Sequence, residues 1–181
     1  MESGSKVKSS VAVRKSSIQG LGVFALKDFE AEEAILIIDD SDVIADPSKL
    51  TKHDHEFELD YLENGKIVRM KAPEKYINHS CDPDSYAKTI NGARKIFALR
   101  KITAGEEITY DYSMNDYSEG TFKCHCGAEN CRKIYQGNFF KLPREIQTKY
   151  LPYLEAWFKN EHRDEIDLLV KSERVPRTTL R

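Results

Sequence analysis

The sequence has no excess of either charge: 28 Lys and Arg stand against 30 Asp and Glu, a formal net charge of −2 over 181 residues. A chain that gripped nucleic acid non-specifically would need a basic surface, so direct nucleic-acid binding is not expected. A basic protein or peptide remains a compatible partner. Long hydrophobic runs are missing too. The stretch Ala34 to Ile38 is far short of the roughly 20 apolar residues of a membrane span. Met1 to Ser10 is polar with no apolar centre, so no secretory leader is expected. The location expected is intracellular: nucleus or chromatin in a eukaryote, cytoplasm in a prokaryote. There is no internal repeat and no low-complexity segment. The length suits one domain with a small appendage, and a core built without disulfide staples.

Cysteine is scarce, and what there is of it is grouped. One stands in Asn78-His79-Ser80-Cys81 and three in Cys124-His125-Cys126-Gly127-Ala128-Glu129-Asn130-Cys131. In a reducing compartment clustered cysteines are better metal ligands than disulfide partners. Cys81, Cys124, Cys126 and Cys131 make the four thiolates that a closed tetrahedral structural zinc site takes. Such a site would clamp 124–131 onto the segment around Cys81, beside two polar side chains, Asn78 and His79. His125 is then a bystander pointing outward. The glycosylation sequon at Asn78 is read as chance.

The rest of the chain alternates short strands and turns. Val11 to Val13 and the stretch from Val23 through Leu26 read as strands around a glycine-rich turn. Ala34 to Ile38 reads as a buried strand, and Asp39 to Asp60 as acidic and irregular. Two hairpins are signalled by Asn64-Gly65 and Asn91-Gly92, since a two-residue type I′ turn needs positive φ at both central residues. Glu106 to Tyr112 reads as a strand with Ile108, Tyr110 and Tyr112 on one face. Pro143 to Tyr150 and Pro152 to about Val170 read as helices with proline in the first turn. Leu154, Trp157 and Phe158 share a stripe, either core or the surface of a homodimer. The class expected is α+β, mostly β, with a helical end. The divisions are a disordered start at 1–10, a main domain at 11–117, a cysteine segment at 118–138 and a helical extension at 139–181.

Four blocks recur in one order: Gly20-Leu21-Gly22, Tyr76-Ile77-Asn78-His79-Ser80-Cys81-Asp82-Pro83, Gly105-Glu106-Glu107-Ile108-Thr109-Tyr110-Asp111-Tyr112, and Cys124 to Cys131 with Arg132. Together they resemble a SET-domain protein-lysine methyltransferase with a zinc-binding post-SET segment, over roughly residues 10–137. The resemblance implies small β-sheets around a pseudoknot, S-adenosylmethionine as cofactor, structural zinc, and a lysine of a histone or other basic protein as substrate. It places the cofactor against Gly20, Leu21, Gly22, Tyr76, Asn78, His79 and Tyr135. It makes Tyr112 the catalytic tyrosine. Tyr110 holds the amine or a water and crowds out further methyl groups, which favours mono- or dimethylation. The chain departs from the family pattern at Lys75-Tyr76, at Lys71-Ala72 and at Asp84, where asparagine is usual.

The chemistry suits these residue types. A free lysine amine, with pKa about 10.4, is almost all charged at neutral pH, whereas attack on a methyl carbon needs the neutral form. A narrow aromatic channel desolvates the ammonium and favours loss of its proton. Alignment of the two reactants can supply roughly 7–11 kcal/mol. Each residue also has a plainer reading. Gly20 and Gly22 are turn glycines, Tyr110 and Tyr112 core aromatics, Asn78 a turn cap, and the acidic stretch with His53 and His55 a solvated loop. The competing functions are a non-catalytic SET-like module that binds peptides or scaffolds a partner, and a plain zinc-stabilised interaction domain.

Overall fold

The computed structural model describes residues 9–173, so most of the N-terminal stretch expected to be disordered and the last eight residues lie outside the described part. The strands are β1 (Val11–Lys15), β2 (Leu21–Ala25) and β3 (Ala34–Ile37), then, after helix α1 (Lys52–Phe57), β4 (Leu59–Tyr61), β5 (Ile67–Arg69), β6 (Asn78–His79), β7 (Ser85–Ile90), β8 (Ala93–Ala98), β9 (Glu107–Tyr110), β10 (Tyr117–Lys123) and β11 (Ile134–Asn138). Helices α2 (Arg144–Tyr150), α3 (Ala156–Glu161) and α4 (Arg163–Glu173) follow. The class is α+β and mostly β, as expected. The main sheet runs β1-β2-β9-β7-β8-β3, with the short β6 also paired to β9. β4 with β5 and β10 with β11 form two separate hairpins. Among the described residues no helix is long and apolar enough to cross a membrane.

β9 organises the main sheet. It pairs antiparallel with β2 through Val23 and Ile108, and parallel with β6 through Asn78 with Thr109 and His79 with Tyr110. The Ser80 amide adds a bond to the Tyr110 carbonyl at 3.1 Å. The block around Asn78 and the block ending in Tyr112 therefore lie side by side. Val23, Phe29, Ile77, Ile96, Ile102 and Ile108 are buried together beneath this sheet.

Several elements differ from what the sequence predicts. The loop at Asn64-Gly65 is a three-residue connection, with Leu62 donating to the Lys66 carbonyl at 2.8 Å, so both residues have positive φ but the turn is not the two-residue type. Asn91-Gly92 does close its hairpin in two residues, with Ile90 opposite Ala93. β3 is not buried throughout: it edges the sheet against β8, with Ile35 inside and Ile37 67% exposed. The acidic stretch is irregular over 39–50 apart from a 3-10 turn at Pro47–Lys49, but then forms α1, started by a reciprocal Thr51–Asp54 capping box. Its acids are largely occupied: Asp39 by Lys71, Asp54 by Arg69, and Asp40 and Asp60 by Arg94.

The long second helix expected from Pro152 is broken into a 3-10 turn, α3 and α4, separated at Leu154-Glu155 and at His162. Buried Glu155 explains the first break. Its carboxylate accepts from the Thr89 amide and hydroxyl at 2.9 and 3.0 Å, and its own amide donates to Asn115. That docking holds Glu155 in extended backbone, at the N-cap of α3. Of the stripe Leu154, Trp157 and Phe158, Leu154 and Phe158 are fully buried with Tyr86, Phe139, Tyr150 and Leu169 in a second core on the same chain, and Trp157 packs half-buried against it, which is the core reading of the stripe.

Candidate active site

The four cysteine sulfurs converge, although Cys81 lies more than forty positions before the others in the chain. All lie within 4.8 Å of one another, and Cys81 Sγ is 3.8 Å from Cys124 Sγ. Four sulfurs each about 2.3 Å from a zinc ion would sit about 3.8 Å apart, so the cluster is compatible with a zinc site. Its surroundings fit thiolates as well. The amide of Arg132 donates to Cys81 Sγ at 3.4 Å, that of Cys81 to Cys126 Sγ at 3.5 Å, and that of Lys133 to Cys131 Sγ at 3.4 Å. His125 is exposed and stands outside the cluster, as expected.

Two positive-φ turns, at Gly127 and Lys133, wrap the cysteine loop, and β10 pairs with β11 on either side of it. This hairpin had no signal in the sequence analysis. It carries Phe122 and Tyr135 to one spot, stacked with ring centres 4.4 Å apart. Both rings lean on His79, at 6.0 and 5.4 Å. Tyr112 completes the group, 5.3 Å from His79 and 5.1 Å from Tyr110.

His79 is a structural hinge between these parts. Burial, with a smaller push from Arg132 against the pull of Asp111, lowers its pKa to about 4, so the ring is neutral at neutral pH. Its Nδ1 accepts the Tyr112 amide at 3.2 Å, which places the proton on Nε2, 3.5 Å from Cys81 Sγ. The 3.5 Å approach of Nδ1 to Asp111 is therefore no ion pair. Asp111 instead takes a two-pronged bond from Arg132, at 2.7 and 2.9 Å, and the Tyr150 hydroxyl at 3.1 Å. The carboxylate between the two tyrosines is thus held by the residue after the last cysteine and by α2. Asp111 and Arg132 stood in the recognised blocks, but nothing in the sequence paired them.

A shallow cleft, open to solvent on one side, is lined by Ile18, Gln19, Asn78, His79, Tyr112 and Phe122 with the edge of the cysteine loop. The Asn78 side chain donates to the Leu21 and Gln19 carbonyls at 2.9 and 3.2 Å, so it holds the Gly20-Leu21-Gly22 loop against the cleft wall. Gly20 has a φ of +50°, in the left-handed region that favours glycine. Tyr135 reaches the cleft through its ring contacts with His79 and Tyr112. Tyr76 lies apart from it: its ring packs on the core beneath the sheet, with the Lys75 ammonium 5.3 Å above it.

The two tyrosines differ in their bonds. Tyr112 donates its hydroxyl hydrogen to the Ile77 carbonyl at 2.7 Å, and burial raises its pKa to about 12. Burial pushes the Tyr110 phenol well above its ordinary value. Neither phenol is a base at neutral pH. With its hydrogen committed to Ile77, the Tyr112 oxygen is free to accept a hydrogen bond from a bound amine.

Comparison with known proteins agrees with this geometry. A family model for the SET domain matches residues 20–113. Human histone-lysine N-methyltransferase 2D is 33% identical over 140 residues, 70% of this chain and 2% of that protein. Drosophila melanogaster histone-lysine N-methyltransferase trr is 32% identical over 139 residues, 70% of this chain and 6% of that protein. The H3 lysine-36 specific histone-lysine N-methyltransferase of Candida albicans is 32% identical over 144 residues, 71% of this chain and 17% of that protein. The chain thus spans a small part of the length of these relatives. A Plasmodium falciparum crystal structure assigned as a histone methyltransferase shares the fold with a TM-score of 0.50 and 24% identity, over 59% of this chain and 95% of that one. The chain belongs to the SET-domain family, and its relatives there are histone-lysine methyltransferases.

Proposed function

We propose that this chain methylates the side-chain amine of a lysine in a protein, with S-adenosylmethionine as donor. The observation that carries the reading is convergence: Asn78, His79 and Tyr112 line one cleft whose rim is a four-thiol cluster. The residues present fit the cofactor. The cleft is open to solvent, its wall is a glycine loop held by Asn78, and Phe122, stacked on Tyr135, borders it. When bound, S-adenosylmethionine supplies a methyl group on a sulfonium.

The chain's own residues do the rest. Asn78, the backbone of His79 and the loop Gly20-Leu21-Gly22 would hold the cofactor, and Tyr135 would cover it. Tyr110 and Tyr112 form an aromatic surround that strips water from the incoming ammonium and so favours its neutral form. Tyr112 then accepts an N–H of that amine through the oxygen lone pairs that Ile77 leaves free, which orients the nitrogen lone pair. The amine's own proton departs through water before attack. Cys81, Cys124, Cys126 and Cys131 would hold a structural zinc, which would tie the cysteine loop to the segment of Cys81.

The substrate class is a lysine-rich basic protein. The relatives' names favour a histone, with the nucleus as the working location. Residues 11–117 serve as the catalytic domain, 118–138 as the post-SET zinc segment and 139–181 as a C-terminal extension.

The test is transfer of labelled methyl from S-adenosylmethionine to a histone mixture. Tyr112→Phe is expected to lower turnover by about 100-fold or more while leaving cofactor affinity within a few-fold. A fully active Tyr112→Phe rejects Tyr112 as catalytic. Cofactor binding without any transfer supports the scaffold alternative. Mass spectrometry of products is expected to show mono- and dimethyl-lysine, with Tyr110→Phe shifting the mixture upward. Ready trimethylation by the wild type refutes the role given to Tyr110.

A further inference from the structure

Gly22 and Glu107 make a pair that the functional reading leaves unexplained. Unlike Gly20, Gly22 does not have the left-handed backbone that favours glycine. What it lacks is room: a Cβ there would lie 2.2 Å from Glu107 Oε1 and 2.7 Å from Glu107 Cδ. The space is filled by a carboxylate with three strong contacts. Glu107 accepts the Ser16 hydroxyl at 2.8 Å on either oxygen, and Asn78 Nδ2 at 2.8 Å on Oε1. Ser16 in turn accepts the Ile18 amide at 2.9 Å, and its own amide donates to the Gly20 carbonyl at 3.0 Å. One side chain on β9 thus joins Ser16, just before the glycine loop, to the asparagine of β6.

The consequence is chemical. An ionised carboxylate only accepts hydrogen bonds, and so do the Leu21 and Gln19 carbonyls. All three surround the same end of the Asn78 amide, which must therefore be the NH₂ end. The Asn78 carbonyl oxygen points the other way. Asn78 lines the cleft, and among the described residues no donor is bonded to that oxygen, which leaves it for a ligand.

We propose that Glu107 is a positioning residue for the cofactor: it fixes the orientation of the Asn78 amide so that Oδ1 accepts from the ammonium of the cofactor's amino-acid end. Gly22 is glycine to leave the carboxylate its place. The inference rests on the cofactor reading above. It adds a residue that never touches the cofactor, acting through one that does.

The experiment is calorimetric titration of the zinc-loaded wild type, Glu107→Gln, Glu107→Ala, Gly22→Ala and the double variant Gly22→Ala/Glu107→Ala with S-adenosylmethionine and S-adenosylhomocysteine. Thermal midpoints and zinc content are read alongside. Glu107→Ala is expected to weaken binding about 10-fold or more, the scale of losing a hydrogen bond to a charged group. Gly22→Ala should weaken it comparably, because the new methyl displaces the carboxylate. The double variant should bind no worse than Glu107→Ala alone, since the clash has gone. Glu107→Gln, which keeps size and shape, should lose several-fold at an unchanged midpoint and with an unchanged KM for the lysine substrate. If the wild type binds neither ligand, the cofactor reading itself falls. If the wild type binds but Glu107→Gln and Glu107→Ala bind equally well, or if the two losses simply add in the double variant, the role given to Glu107 is overturned.

Discussion

Asp84 shows how one buried group can set a pH response. Its Oδ1 accepts the Thr109 amide at 2.8 Å, and its Oδ2 lies 3.6 Å from the Arg100 guanidinium. Burial outweighs both and pushes its pKa up to about 7. A carboxyl that holds its proton more tightly folded than unfolded stabilises the fold in acid, and that advantage is lost as pH rises from about 4 through about 7. The shift of roughly three units corresponds to about 4 kcal/mol as an upper bound. Asp84→Asn, which installs the residue usual in the family, is therefore expected to gain stability relative to the wild type as pH rises, with the gap levelling off above about pH 7. Urea unfolding at pH 5 and pH 8 measures it, and equal gaps at both would show that Asp84 does not carry the penalty. At this scale the sequence was informative wherever chemistry limits the choice of residue. Cysteines at ligand spacing and an Asn-Gly pair speak for themselves. Glu107, Phe122 and the Arg132–Asp111 pair did not, because an acid on a strand, a phenylalanine in a hairpin and an arginine after a cysteine have many ordinary uses.

Between elements, the cysteine loop is fastened from several sides. Sulfur contacts join it to Cys81, Arg132 reaches into Asp111, and β10 pairs with β11 along its flanks. Every residue of β10 is exposed, so apolar burial does little to hold that strand. Zinc held by the four thiols would add to these polar ties in ordering it. Chelation of the zinc-loaded protein is expected to release one zinc per chain and to raise hydrogen exchange across residues 117–138, while β1, β2 and β9 keep their protection. Exchange mass spectrometry checks this, and unchanged protection of the hairpin after metal loss would refute it. The elements that local pattern missed were those whose cause is remote. β10 and β11 lack the apolar alternation that marks a strand. The expected helix from Pro152 is interrupted because Glu155 bonds Thr89, more than sixty positions away in the chain. The hairpin at Asn91-Gly92 was legible because its turn and its register are both local.

In the whole molecule the helical extension belongs to the body it covers. Phe158 is fully buried, edge-on to Phe139 at 5.9 Å and stacked over Phe140 at 5.8 Å. Phe158→Ala is expected to cost about 3–5 kcal/mol in denaturant unfolding and to leave the oligomeric state unchanged by light scattering. A shift in mass without loss of stability would restore the dimer-surface reading of that stripe. The fold class was legible from the succession of short strands and a helical end, whereas the burial of the stripe against Tyr86 and Tyr150 required coordinates. The sheet order adds a demand of its own on synthesis. β9 is laid between β2 and β7, so the first hairpin waits with an unpaired apolar edge until Tyr110 has left the ribosome. The expected consequence is a nascent chain open to wrong pairing along that edge, so that slower elongation between residues 25 and 110 should lower the yield of soluble protein in cells.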